Sequence, residues 1–347
     1  MEAIIHPGMH KTGSSSIQAT AVSIKPDGWI FPDNKTGNFS GRFALLFEDN
    51  PEDYHAFKAR GMNADAVEVD RQKRLVQLEN QLRKGSAEGL NALFSAERIS
   101  TSPLDSIQRL ADLYRKHGYE PRVVAYVRRP ISFMQSAFQQ RLKLTLNDLK
   151  TNAMLWPNYR KRFEKLDQVF GRENVKLNVF DRSTLKQGDV CIDFFGQIGI
   201  DLSVEQVVRV NESLSLPACA LLFAQRHLGE GFVQGFKRAP AKNNAFIAAL
   251  SRLPGDPLKF KRSYVAPIFE EWRKDLEWME ERLGQSLSDL PDEDSDDAIG
   301  SAEDLLAVAD RHRHELEELL FEEIRKEGDQ PRDRLIRNLE LLRKLHY

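Results

Sequence analysis

Residues 6–18 read HPGMHKTGSSSIQ, a run in which two glycines, a lysine and three consecutive serines follow a short apolar segment. Such a run is suited to hold an oxyanion. Where a strand passes through a glycine turn into a helix, the first-turn N–H groups have no partner within the helix, the helix dipole favours negative charge, and serine hydroxyls add donors. Gly8 and Gly13 have the spacing of a nucleotide-binding P-loop, but the lysine falls inside the loop at Lys11, and Ser14 and Ser15 stand where a Lys-Ser/Thr pair should follow the second glycine. The parts that hold the β/γ-phosphates and magnesium in a kinase or ATPase are therefore missing. A second loaded segment reads RVVAYVRRPISFMQSAFQQ, where Arg128 ends an apolar run, Pro130 suits the first turn of a helix, and Ser136 follows eight residues after the arginine. A third, LFSAERIS, puts Glu97 just past another apolar run.

These residues need strands to position them. Four short apolar runs, at residues 3–5, 90–94, 122–127 and 175–180, read as buried parallel strands, and helical patterns at 67–84, 106–117, 131–143, 159–170 and 190–198 lie between and after them. Strands alternating with helices predict an α/β fold, a three-layer P-loop NTPase-like parallel sheet flanked by helices. In such sheets ligands bind beyond the carboxyl ends of the strands, which is where Lys11, Glu97 and Arg128 all fall. The long first crossover contains a Pro/Gly/Asn-rich stretch at 25–41, read as a loop excursion over the sheet edge. After residue 199 the chain turns helical, with patterns at 218–227, 245–253 and 264–283. Residues 226–262 carry eight Lys or Arg against Glu230 and Asp256, a local basic patch. An acidic stretch at 289–304 reads as an exposed linker, with Ser301 as a cap for the helix that follows. The stripe Leu305, Ala309, Leu316, Leu319, Leu320, Ile324, continued by Leu335, Leu339 and Leu342, predicts a helical C-terminal extension packed on the body or on a second subunit. The expected division is 1–285 for the α/β domain and 286–347 for the acidic linker and helical hairpin.

In two places the sequence resembles the sulfotransferases that use 3'-phosphoadenosine 5'-phosphosulfate (PAPS). Their 5'-phosphosulfate loop, of the form P-K-[ST]-G-[ST]-[ST] after the first strand, is similar to His10-Lys11-Thr12-Gly13-Ser14-Ser15, with His10 in place of the proline. Their 3'-phosphate motif, an arginine at a strand end with a serine eight residues on, is matched by Arg128 and Ser136. Weaker similarity runs through VFDRSTLKQGD and VNESLSLPACALL, so the resemblance covers roughly residues 1–285. It implies that His10, Lys11, Thr12, Gly13, Ser14, Ser15 and Ser16 hold the 5'-phosphosulfate and Arg128 and Ser136 the 3'-phosphate. It also implies transfer of a sulfuryl group to a hydroxyl acceptor, a glycan or glycolipid first and a small alcohol or phenol second. Where many cytosolic members of that family have a histidine base, this chain has Glu97, and Lys11 is expected to stabilise the leaving group. The Arg-Lys-Gly cofactor-closing loop of those enzymes is absent, with Lys259, Lys261 and Arg262 as the nearest substitutes. A P-loop kinase or NTPase, and a non-catalytic nucleotide-binding protein, are the alternatives.

Composition bounds the rest. The chain has 347 residues, 41% of them hydrophobic, enough for a sizeable core. Fifty Lys and Arg against 52 Asp and Glu leave a net charge of -2, so no global basic field argues for nucleic acid as a partner. No window has the roughly 20 apolar residues of a membrane span. Cys191 and Cys219 sit among apolar residues without metal-ligand spacing, which suits a reducing compartment, with the cytoplasm as the default. No metal site is expected: His6 and His10 span a strand end and a loop, where packing or phosphate contacts are favoured over ligation. A homodimer through the C-terminal helices is one arrangement the tail allows.

Overall fold

The computed structural model describes residues 1–9, 11–32, 37–144, 146, 148–149, 155–210, 213–229, 239–325, 335, 339 and 343. The chain divides into two compact units, Met1–Met134 with Leu155–Asn211 and Ile268–Leu290, and Gln135–Met154 with Glu212–Pro267 and Pro291–Tyr347. Neither unit is continuous in sequence, whereas the division expected after residue 285 follows chain order.

The first unit runs β1 (Glu2–His6), α1 (Ser14–Ile24), β2 (Trp29–Ile30), α2 (Ser40–Phe47), α3 (His55–Ala59), α4 (Ala64–Ala87), β3 (Asn91–Ser95), α5 (Leu104–Lys116) and β4 (Glu120–Val127). It continues through the start of α6 (Pro130–Leu142), then α7 (Tyr159–Phe170), β5 (Val175–Val179) and α8 (Val190–Gln197). The strands form one sheet in the order β2-β3-β1-β4-β5, and every neighbouring pair is parallel. This is the α/β sheet that the alternation of patterns predicts. The strands are apolar on both sides because helices cover both faces: Ile4, Leu93 and Tyr126 join Ile17 of α1 and Phe194 of α8 in one cluster. Phe94, the next residue along β3, turns to the other face and meets Phe39, Phe47 and Tyr114.

Two described parts of the stretch at 25–41 are tied to the sheet. Trp29 and Ile30 pair with Asn91 and Ala92 as a short edge strand, a tertiary pairing that local propensity does not announce. Helix α4 approaches this edge at Gly85, where an added Cβ would stand 2.7 Å from both Ile30 Cδ1 and the Tyr119 hydroxyl. Phe39 N donates to Ser95 O at 2.9 Å, fastening the start of α2 to the end of β3.

The second unit is helical, with α9 (Leu216–Leu228), α10 (Ala239–Leu250), the first half of α11 (Arg262–Glu271), α13 (Ala302–Arg311) and α14 (Arg313–Arg325). The intervening α12 (Arg273–Leu283) belongs to the first unit, and the pattern read as one helix over 264–283 is divided at Trp272. Ser301 caps α13 in a reciprocal capping box with Asp304, as its position predicts. Helix α13 packs on α9 and buries Leu305, Val308 and Ala309. Of the expected continuation, Leu342 lies outside the described residues, while Leu335 and Leu339 are exposed. Three of the eight cations at 226–262 are tied within the second unit: Arg226 is buried against Asn243, Arg252 pairs with Glu322 and Glu323, and Lys261 with Asp304.

Candidate functional site

Strand order brings three chain segments to one rim. In the β1–β3 register His6 stands opposite Ser95, so the loop after β1 leaves beside the turn after β3. On its other side β1 pairs with β4, which ends at Val127, one residue before Arg128.

The loop after β1 is shaped by its backbone. Lys11 and Gly13 adopt left-handed conformations, at φ 65° and 80°. Gly13 is the N-cap of α1, and a Cβ there would stand 2.4 Å from Val190 Cγ1, so both conformation and space call for glycine. Thr12 is buried and donates its hydroxyl to Met9 O at 2.7 Å, closing the loop on itself. Ile17 donates to Gly13 O at 3.0 Å as the helix ladder begins, so the amides of Ser14, Ser15 and Ser16 precede the ladder and have no intrahelical acceptor. The Ser14 side chain is 2% exposed, and its hydroxyl has no partner among the described residues. Ser16 is turned elsewhere, its Oγ accepting from Val210 N at 3.1 Å. Ser15 is half-buried at the first turn. His10 lies outside the described residues.

The two motifs, more than a hundred residues apart, meet at Arg128. Its Nη1 donates to Lys11 O at 2.7 Å, its Nε to Ser132 Oγ at 2.6 Å, and its guanidinium lies 5.8 Å from the centre of the Phe180 ring. Burial lowers its pKa to about 10, opposed by the negative charge of Asp289, so it stays charged at neutral pH. The backbone around it is held as well. Tyr159 donates its hydroxyl to Arg128 O at 2.6 Å, and Asp289 accepts from the α6 amides of Ile131 and Ser132 at 3.1 and 3.4 Å. Asp289 was expected in an exposed linker; it is instead half-buried, capping this helix. Ser136 lies four residues beyond Ser132 on α6, in the second unit, and is buried.

Glu97 opens a 3-10 turn, Glu97–Thr101, directly after β3. It sits against the loop: a Cβ built on Gly8 would meet Ser14 Oγ at 2.2 Å and Glu97 Cγ at 3.1 Å, so this close approach also requires glycine. Arg98 donates through Nε and Nη2 to the two carboxylate oxygens of Glu48, at 2.7 and 2.9 Å, and Ser102 donates to the same carboxylate at 2.6 Å. The Arg98 guanidinium lowers the pKa of Glu48 against the opposing effect of burial, which is the larger single influence. Behind the rim, His6 is fully buried, with Nδ1 2.8 Å from Ser95 Oγ, which also accepts from Gln18 Nε2 at 3.0 Å. Burial lowers the His6 pKa to about 4, with nearby Glu97 opposing.

The structure thus brings Lys11, Thr12, Gly13, Ser14, Glu97 and Arg128 to one rim. Glu48, Ser95, Ser132, Tyr159 and Asp289 had no motif to announce them, and all act through pairs distant in sequence or, for Ser132, through one helical turn.

No family model matches this chain. An uncharacterized protein of Archaeoglobus fulgidus is 23% identical over 106 residues, 30% of this chain; the match spans 30% of that relative's length. Among solved structures, a sulfotransferase from Alicyclobacillus acidocaldarius is 17% identical, covering 73% of this chain and 97% of that one, with a TM-score of 0.39. The PezAT toxin-antitoxin system of Streptococcus pneumoniae is 16% identical, covering 73% of this chain and 87% of that one, with a TM-score of 0.30. No helix among the described residues is long and apolar enough to cross a membrane.

Proposed function

We propose that this chain is a sulfotransferase that moves a sulfuryl group from PAPS to a hydroxyl acceptor, with a glycan or glycolipid as the first acceptor class. The observation that carries the reading is the contact between the two motifs of the sequence resemblance: Arg128 Nη1 donates to Lys11 O at 2.7 Å. A nucleotide with phosphates at both its 5' and 3' positions would use that juxtaposition. The residues present fit such a ligand, because the buried Ser14 hydroxyl has no partner among the described residues and the first-turn amides of α1 lack intrahelical acceptors.

In this reading the α1 amides, that of Ser16 included, with Lys11, Thr12, Gly13, Ser14, Ser15 and His10, hold the 5'-phosphosulfate, and Arg128 and Ser136 hold the 3'-phosphate. The acceptor oxygen attacks sulfur in line, the bond from sulfur to the bridging 5'-phosphate oxygen breaks, and its electron pair stays on that oxygen, where Lys11 balances the charge. Glu97 takes the acceptor proton. The test is transfer of labelled sulfate from PAPS to a panel of sugar and phenol acceptors in EDTA. Labelled product in EDTA supports the reading, whereas magnesium-dependent transfer of phosphate from ATP would replace it with a kinase.

A further inference from the structure

The turn that carries Glu97 is bordered by cations for which donor binding has no use. Arg162 on α7 donates from Nη1 to Ser100 Oγ at 3.2 Å and from Nε to Pro157 O at 2.6 Å, with its guanidinium 5.9 Å from the centre of the Phe133 ring. Ser100 in turn donates to Glu97 O at 3.0 Å, so one hydroxyl separates Arg162 from the backbone of the candidate base. Lys165, one turn along α7, donates from Nζ to Ser102 O at the other end of the same turn. Lys161 and Arg98 lie within electrostatic reach of Lys165.

Of these four cations Arg98 alone has a carboxylate partner among the described residues, Glu48. Among the described residues Arg162 and Lys165 bond only to neutral oxygens. Glu97 and Asp275 act on Arg162 at longer range, but Asp275 is occupied by Trp156 Nε1 and the amides of Tyr159 and Arg160. Burial lowers the pKa of both α7 cations, and for Lys165, at about 8, neighbouring Arg162, Lys161 and Arg98 add to it. Half-buried like charges this close together, with no carboxylate bonded directly to Arg162 or Lys165 among the described residues, are costly, and an oxyanion relieves that cost; the guanidinium fork and the compact ammonium are the two groups that bind it best.

We propose that Arg162 and Lys165 form a subsite for an oxyanion, a sulfate or carboxylate, carried by the acceptor, so that the acceptor is an anionic conjugate held beside Glu97. The inference rests on the reading of Glu97 as the acceptor-side residue. It also gives the α7 cations a task that a neutral acceptor would not require.

The test titrates the full chain, saturated with adenosine 3',5'-bisphosphate, with sucrose octasulfate, sucrose and inorganic sulfate in parallel. Octasulfate should bind, sucrose should not, and inorganic sulfate should bind far more weakly. Arg162→Gln and Lys165→Gln should each weaken octasulfate binding by about tenfold or more, as expected for loss of a charge-assisted hydrogen bond, with bisphosphate affinity unchanged. In the unsubstituted protein the Lys165 ammonium, followed by NMR, should titrate near pH 8 and move upward when octasulfate is added, a readout that does not depend on the variants folding. Unchanged octasulfate affinity in both folded variants, or an unmoved Lys165 titration, overturns the subsite. Inorganic sulfate binding as tightly as octasulfate overturns its assignment to the acceptor. Failure of the bisphosphate itself to bind would overturn the transfer reading, and the octasulfate titrations would still decide the subsite.

Discussion

The ends of β1 and β3 lie side by side in the sheet and are secured in opposite ways. Beyond β1 the chain is shaped by glycine and left-handed backbone, and it leaves the Ser14 hydroxyl and His6 Nε2 buried without partners among the described residues. Beyond β3 the turn is braced by side chains: Glu48 holds Arg98 and Ser102 from the end of α2, while Arg162 and Lys165 hold Ser100 and Ser102 from α7. Unmet hydrogen-bonding groups at one end suit a ligand that arrives with its own acceptors. Bracing at the other suits a single carboxylate that must stay in place.

That contrast predicts different consequences for substitutions at the two ends. Glu97→Gln should lower single-turnover transfer by about 10²-fold or more while leaving donor affinity nearly intact, as loss of a general base does. Lys11→Ala should reduce both donor affinity and rate. Equal turnover in Glu97→Gln and the unsubstituted protein would exclude this carboxylate as the base and return the search to His6, His10 or another residue.

Burial of His6 gives the β1 end an acid sensitivity. Its folded pKa, about 4, lies below the ordinary 6.5, so the unfolded chain binds the proton more readily between these values and stability falls as pH drops from 6.5 towards 4. The whole shift corresponds to roughly 3 kcal/mol as an upper bound, at about 1.4 kcal/mol per pH unit. Urea unfolding at a series of pH values should show this slope, and His6→Gln should flatten it; an unchanged slope would assign the acid sensitivity to other groups.

A smaller effect is expected at Gly13, where an alanine combines a left-handed backbone with a close contact to Val190. Gly13→Ala should cost about 1–3 kcal/mol, the usual range for forcing an extra carbon into a packed position. A thermal midpoint equal to that of the unsubstituted protein would show that the loop tolerates rearrangement and is not shaped in advance.

What was legible in the sequence follows the range of the interactions. Four of the five strands stand as short apolar runs, and α7 occupies the residues its periodicity marks, 159–170. The cap at Ser301 rests on residues three apart and is equally visible. Lys11, Glu97 and Arg128 were legible because each follows a buried strand, and the sheet order then places their segments together. The two-residue strand β2 was hidden in a Pro/Gly/Asn-rich stretch because pairing with β3, not propensity, makes it. Glu48 and Asp289 left no trace, since their partners lie 50 or more residues away and each looks like any other surface acid. The acidic composition around Asp289 pointed towards solvent, whereas two orphan amides at the start of α6 hold its carboxylate in the structure.

The central claim is that the loop after β1 and the arginine after β4 together recognise a nucleotide with phosphates at both its 5' and 3' positions. Calorimetry of the full chain in EDTA, with adenosine 3',5'-bisphosphate, ADP and AMP as ligands, tests it most directly. The bisphosphate should bind most tightly without magnesium, and Arg128→Ala should remove most of the preference, through loss of a charge-assisted contact. Equal affinity for all three nucleotides, or binding that requires magnesium, would contradict it.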